Sequence, residues 1–308
     1  MEIKRAAFAG SWYPSGASEC KEQIEQFLTQ KNGALKKGNF VGGIVPHAGW
    51  FFSGSIACRV IASIANSSAN SSSAFDTTIQ KTKSKKVDAV FIFGMHMNPL
   101  AKPCIMVNGA WQTPFGDLAV HEPLASEFIN NFNLLNPTIN LKIDSAHSFP
   151  EENTIELQLP FIKYFFAESQ IIPIGVPPSD VAQTIGILAV ESAQKLGLNV
   201  VFIGSTDMTH YGNNYGFTPT GSGQKALDWV KAENDPKAIN AMCNMDCHEI
   251  VFQGLKNRNL CCAGAVAAAA AASKKMGATK GIPFDYATSY EKNPGSSFVG
   301  YSGILFAL

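Results

Sequence analysis

Four short apolar runs limit what this chain can fold into. They are Val41–Val45 (VGGIV), Val87–Gly94 (VDAVFIFG), Ile171–Val176 (IIPIGV) and Asn199–Ser205 (NVVFIGS). Each is rich in β-branched or aromatic residues, bounded by turn-forming residues and too short for a stable helix, which is the pattern of a strand buried on both faces. Segments of helical spacing lie between them. Ile24, Phe27 and Leu28 share a face of Ser18–Leu28, with Ser18 as a candidate cap. Ile56, Ala57, Val60, Ile61 and Ile64 do the same in Ser55–Ala65. Further helices are expected at Glu122–Asn131, at Ser179–Lys195 with a serine cap, at Gln224–Ile239 and at Asp246–Lys256. Asn153–Phe166 also reads as helical, kinked or divided by Pro160. Strand and turn are expected over Trp111–Leu118 and a last strand over Phe298–Phe306. Strands alternating with helices predict an α/β sheet covered on both faces. With no repeat and no convincing linker, residues 1–308 read as one domain.

Composition narrows the classes of function. The 308 residues carry 24 basic and 24 acidic side chains, so no net charge draws the chain to nucleic acid or anionic lipid. No amino-terminal run resembles the apolar core of a signal peptide, and no stretch approaches the roughly 18 apolar residues of a membrane span. Ala263–Ala272 is the nearest, and it reads as a buried helix whose alanines admit a close neighbour. Seven cysteines in a chain this long predict free thiols and a cytoplasmic address. The Ser/Asn/Lys-rich segment 67–86 reads as a surface insertion.

Chemistry gathers just beyond the strands. Pro46 ends the first run and His47 follows; His96 follows the second; Asp207 and His210 follow the fourth. Ligands in α/β sheets bind at the carboxyl ends of strands, so residues far apart in sequence can meet there. Each histidine is open to a plainer reading as a turn residue bonded to a carbonyl, and Asp207 to one as the cap of a helix. Cys261 at the start of the alanine-rich helix adds a candidate thiolate. Two imidazoles and a thiolate suit Fe(II), Cu or Zn and not Mg or Ca. Other candidates are weaker. Cys243, Cys247 and His248 make half a zinc site at most, or a helix face with buried thiols. His121 and His147 sit among turn residues and read as solvated. Gly221–Lys225 (GSGQK) fails the phosphate-loop pattern.

Seven segments together resemble the Memo family, called AmmeMemoRadiSam system protein B in prokaryotes. They are RAAFAGSWYP (5–14), GGIVPHAGWFFSG (42–54), GMHMNP (94–99), WQTPFGDL (111–118), EENTIELQLPF (151–161), GSTDMTHYG (204–212) and NLCCAGAV (259–266), in the family's order. The resemblance implies one domain around a central mixed β-sheet, related in fold to the ring-opening extradiol dioxygenases that use non-heme Fe(II). It assigns metal binding to His47, His96 and Cys261, a nearby acid and histidine to Asp207 and His210, and an aromatic pocket wall to Trp12 and Tyr13. The chain departs from the family at Asn153, where a histidine is usual, and at Cys262, where glycine is usual; the second leaves two thiols competing to point inward.

Three functions follow as expectations. The first is a metal-dependent redox enzyme, dioxygenase-like, using Fe(II) or copper on a small aromatic substrate, with His210 as general acid/base tuned by Asp207. The second is a module binding phosphotyrosine peptides in the same pocket, as proposed for members of the family. The third is a zinc hydrolase.

Overall fold

A computed structural model describes residues 1–29, 34–69, 86–136 and 138–308. Most of the expected insertion therefore lies outside the described residues; its first three, 67–69, continue a helix. The amino-terminal half contains β1 (Ile3–Lys4), α1 (Ala17–Thr29), β2 (Phe40–Val45), α2 (Ser55–Ala69), β3 (Ala89–Gly94), β4 (Cys104–Asn108), β5 (Ala110–Trp111), β6 (Leu118–Ala119), α3 (Glu122–Leu135) and β7 (Lys142–Ser145). Next come α4 (Asn153–Glu156), α5 (Leu159–Phe165), β8 (Gln170–Gly175), α6 (Val181–Lys195), β9 (Val200–Ser205) and β10 (His210–Tyr211). The chain ends with α7 (Gln224–Trp229), α8 (Asp235–Cys243), α9 (Cys247–Phe252), α10 (Ala263–Lys275), β11 (Lys280–Thr288) and β12 (Phe298–Ala307).

The four apolar runs are the middle of one mixed sheet of order β10-β12-β2-β9-β3-β8-β4-β7, with β11 paired to β12. β2, β9, β3 and β8 run parallel. β12 joins β2, and β4 joins β8, antiparallel. The mixed α/β sheet expected from sequence is the one observed. All six residues of β2, β3 and β9 are buried, as strands covered on both sides must be.

Two adjacent glycines mark those two sides. A Cβ on Gly42 would meet the Ser273 hydroxyl of α10, and a Cβ on Gly43 would meet Val60 and Ile64 of α2. The alanine-rich helix lies against β9, since a Cβ on Gly204 would come within 2.9 Å of Ala265 O and the Ala269 methyl. Its residues Ala263 to Ser273 are all buried. On the opposite side Trp50 stacks on Phe161 at 4.1 Å between ring centroids, each such ring contributing about 2–3 kcal/mol by leaving water.

Local signals differ from expectation in places. Ser18 lies inside α1, which begins one residue earlier, so it is not the cap. Asp180, not Ser179, precedes α6, and no side chain caps it. Pro160 divides its segment, falling in the first turn of α5, where its missing N–H costs nothing. No helix follows Asp207; His210 instead opens β10. A π-helical turn, Trp50–Gly54, leads into α2. Among the described residues no helix is long and apolar enough to cross a membrane, and all seven cysteines are free.

Candidate metal centre

Parallel pairing puts three strand ends level. Val45 pairs with Ser205, Phe93 with Gly204, and Gly94 with Gly175. His47, Asp207 and His96 each stand two residues past the last residue of β2, β9 and β3, in that order across the sheet. Strand register alone thus delivers two imidazoles on either side of one carboxylate, with ring centroids of His47 and His96 5.0 Å apart.

His47 is held from three directions. Its backbone N–H donates to Asp207 Oδ1 at 2.8 Å, its Nδ1 lies 3.0 Å from Ser205 Oγ, and the Asn153 amide donates to its carbonyl at 3.4 Å. With Nδ1 engaged, Nε2 faces Cys261 Sγ at 3.2 Å. His96 is aimed by Met95, whose φ of +76° is rare for a residue with a Cβ. The Met95 N–H donates to the Thr154 hydroxyl at 2.7 Å, which holds that turn. His96 is exposed, so this is the open side of the group.

The amino-terminal approach to α10 is strapped to the end of β9. Cys261 N–H donates to Asp207 O at 3.1 Å, Asp207 N–H donates to Cys261 Sγ at 3.2 Å, and Cys262 N–H donates to Thr206 Oγ1 at 3.0 Å. The two sulfurs are 3.8 Å apart. One nitrogen each from His47 and His96 and both sulfurs lie within 4.8 Å of one another. Metal bonds of about 2.0–2.3 Å to nitrogen and sulfur span up to about 4.6 Å, so small side-chain rotations bring all four atoms within reach of one ion. Nitrogen and thiolate donors without a hard oxygen shell suit iron, copper or zinc.

Electrostatics favour an ionised group here. Burial alone would lower the His47 pKa, but Asp207 and then Cys261 outweigh it and raise it to about 9. For His210 burial is likewise outweighed by Asp207 and Cys261, taking it to about 10. Burial opposes ionisation of Cys261, yet Cys262, His47 and His210 together hold its thiol well below the ordinary value. Cys262 moves the other way, pushed well above it by burial and by the Cys261 sulfur. His210 Nε2 is buried at 3.8 Å from Asp207 Oδ2, beyond hydrogen-bond length, with no hydrogen-bond partner among the described residues.

The aromatic pair separates. Trp12 is 40% exposed, and its carbonyl accepts from Trp50 N–H beside the His47 loop. Tyr13 is 4% exposed, and its hydroxyl donates to Glu156, so it packs inside the fold and offers no polar atom to a ligand. His147 is exposed; His121 is half-buried, not solvated, and its Nδ1 accepts the Leu124 N–H at the start of α3. Cys243 ends α8 and Cys247 begins α9, so they share no helix face. Sequence reasoning left out Ser205, Thr206, Met95 and Thr154, whose roles consist of contacts to residues far away in the chain; only the small polar residues after β9 hinted at them.

The chain is similar to known proteins over nearly its whole length. A family model described as Memo-like protein matches residues 4–305. A MEMO1 family protein of Pyrococcus furiosus is 31% identical, covering 98% of this chain and 98% of the relative. One from Thermococcus kodakarensis is 30% identical over 99% of each, and one from Methanosarcina barkeri 27% identical over 98% and 99%. The crystal structure of an uncharacterized protein from Escherichia coli K12 is similar at a TM-score of 0.46 and 12% identity, over 71% of this chain and 86% of that one.

Proposed function

This chain belongs to the Memo family over residues 4–305, and from that premise we propose that it is a metal-dependent redox enzyme acting on a small aromatic substrate. Its metal would be Fe(II) or copper, held by His47, His96 and Cys261. The observation that carries the reading is the convergence of two imidazoles and a thiol from three distant segments, with Cys261 Sγ 3.2 Å from His47 Nε2. Bound there, iron or copper supplies one-electron and dioxygen chemistry.

The surrounding residues have their own tasks. Ser205 fixes the His47 ring by engaging Nδ1, leaving Nε2 for the centre. His210 Nε2, buried and without a hydrogen-bond partner among the described residues, takes up or returns a proton at the substrate. Asp207 Oδ2 at 3.8 Å favours its charged form. Trp12, exposed beside the His47 loop, gives an aromatic ring a surface to lie on.

The phosphopeptide reading finds less support. Two cationic imidazoles at His47 and His210 are balanced by Asp207 and the Cys261 thiolate, leaving no net charge to attract phosphate. Arg59 is paired with Asp285, and Arg258 donates to the carbonyls of Tyr215 and Gly216. The test is anaerobic purification followed by quantification of iron, copper and zinc, then oxygen uptake with catechol-type substrates. Iron or copper at one per chain with substrate-dependent oxygen uptake is expected. Stoichiometric zinc without oxygen uptake would move the reading to metal-activated hydrolysis, and phosphopeptide affinity without metal would move it to a binding module.

A further inference from the structure

Cys262 is the donor that the three-ligand reading does not use. We propose that it is a fourth ligand, and that two imidazoles and two thiolates make this chain's site softer than a three-ligand one, shifting its preference from iron(II) toward copper(I). The proposal rests on the metal-binding reading above and deepens it by naming the class of metal.

Three observations carry it. First, the two sulfurs are 3.8 Å apart. In a tetrahedral site with metal–sulfur bonds of about 2.3 Å, two sulfurs are separated by about 3.8 Å. Second, the backbone on both sides is pinned: Cys261 N–H to Asp207 O at 3.1 Å, Cys262 N–H to Thr206 Oγ1 at 3.0 Å. The sulfur spacing is therefore built by the end of β9 and the start of α10, before any ion arrives. Third, three of the other five thiols have partners elsewhere. Cys20 donates to Pro14 O at 3.0 Å and Cys247 to Ala267 O at 3.4 Å, while Cys104 Sγ lies 3.2 Å from Met95 Sδ. Cys262 is 2% exposed, yet its sulfur is turned to Cys261 and lies in the same four-atom group as His47 and His96.

The donor set decides the metal. A second thiolate makes the site softer, which favours copper(I) over iron(II). Iron(II), with more positions to fill, gains less from the same four groups. On binding, both thiols give up their protons to solvent and the imidazoles bind in neutral form.

The test uses the full-length protein loaded anaerobically with cobalt(II), whose thiolate-to-metal absorption reports the number of sulfur ligands. Cys262→Ser and Cys261→Ser should each lose about half of that absorption per bound cobalt, while Cys243→Ser loses none. Copper(I) affinity, read by chelator competition, should fall tenfold or more in Cys262→Ser, with iron(II) affinity changing less. X-ray absorption of the zinc-loaded natural protein needs no variant and should count two sulfurs and two nitrogens; that measurement stands if Cys262→Ser fails to fold. Stoichiometric metal with one sulfur ligand overturns this proposal and leaves the three-ligand centre in place. Natural protein that binds none of cobalt, zinc, copper or iron(II) overturns both.

Discussion

Two pairs of cysteines have opposite fates, one at the start of the alanine-rich helix and one with Cys247 bonded to its Ala267 carbonyl. Cys261 and Cys262 stand where α10 meets the ends of β2, β3 and β9, and two histidines join them there. Cys243 and Cys247 stand where α8 gives way to α9, with Met245 at φ +49° between them. Next to them His248 is exposed and belongs to no such group among the described residues. Burial raises the thiol pKa of Cys243, and that of Cys247 to about 11. The first pair has two imidazoles beside it that could hold a metal ion with it, and in the second Cys247 donates to a carbonyl. Spacing in sequence gave the second pair a neighbouring histidine and still made it half a zinc site at most. Register across a parallel sheet, which brings together residues more than a hundred positions apart, made the first.

The largest expected effect breaks the comparison outright. His47→Ala and Cys261→Ser should each lower metal affinity about a hundredfold or more, since a ligand is worth at least as much as the outer contacts that orient it. Cys243→Ser and Cys247→Ala should change it less than twofold while lowering stability by about 1 kcal/mol. Chelator competition and thermal melts measure both. Equal losses in the two pairs would dissolve the distinction.

Thiol reactivity is the next largest difference. In metal-free protein near neutral pH, Cys261, held below the ordinary thiol value and half-buried, should be alkylated about tenfold or more faster than Cys247. Peptide mass spectrometry after brief iodoacetamide treatment reads the ratio. Added zinc should protect Cys261 and leave Cys247 unchanged.

Much of this was legible in the residues. The four central strands are covered on both faces and so appear as unbroken apolar runs. His47 and His96 were legible because each follows such a run by two residues. The outer strands were not. β11 is largely half-buried, carries Pro283 and shifts register between Pro283 and Asp285, so neither alternation nor an apolar run marks it. β7 is only four residues long with one buried position. The placement of Tyr13 escaped because its anchor, Glu156, is 143 residues away. Which of two adjacent thiols faces inward is likewise a matter of backbone torsion before a helix, and both sulfurs join the group.

A smaller effect sharpens what the sheet end contributes. Ser205→Ala removes the partner of His47 Nδ1 at 3.0 Å and should cost about tenfold in metal affinity without unfolding the chain, the usual price of an orienting contact. Ser205→Thr, which restores the hydroxyl, should recover most of it. A Ser205→Ala protein with native affinity would mean that packing alone orients the ring.

The smallest effect concerns a buried polar cluster behind the site, built around a carboxylate whose hydrogen bonds are made. Asp235 accepts from Thr209 N–H at 3.1 Å, from the Thr209 hydroxyl and from the Tyr286 hydroxyl at 2.7 Å. Burial raises its pKa from 3.8 to about 6 against those hydrogen bonds, which lower it. The folded state therefore binds this proton more tightly than the unfolded chain. Its contribution is complete below about pH 4 and is lost as pH rises through about 6, a swing of up to about 3 kcal/mol. Asp235→Asn cannot titrate, so the stability difference between natural protein and variant should shrink as pH rises from 4 to 7, in urea unfolding at fixed ionic strength. Zinc affinity at pH 7.5 should stay within about twofold, because the cluster supports the turn after β9 through Thr209 and donates nothing to the metal. A variant that loses metal while its stability profile stays parallel to the natural protein's would place Asp235 in the centre itself, and the line between the satisfied cluster and the ligating one would have to be redrawn.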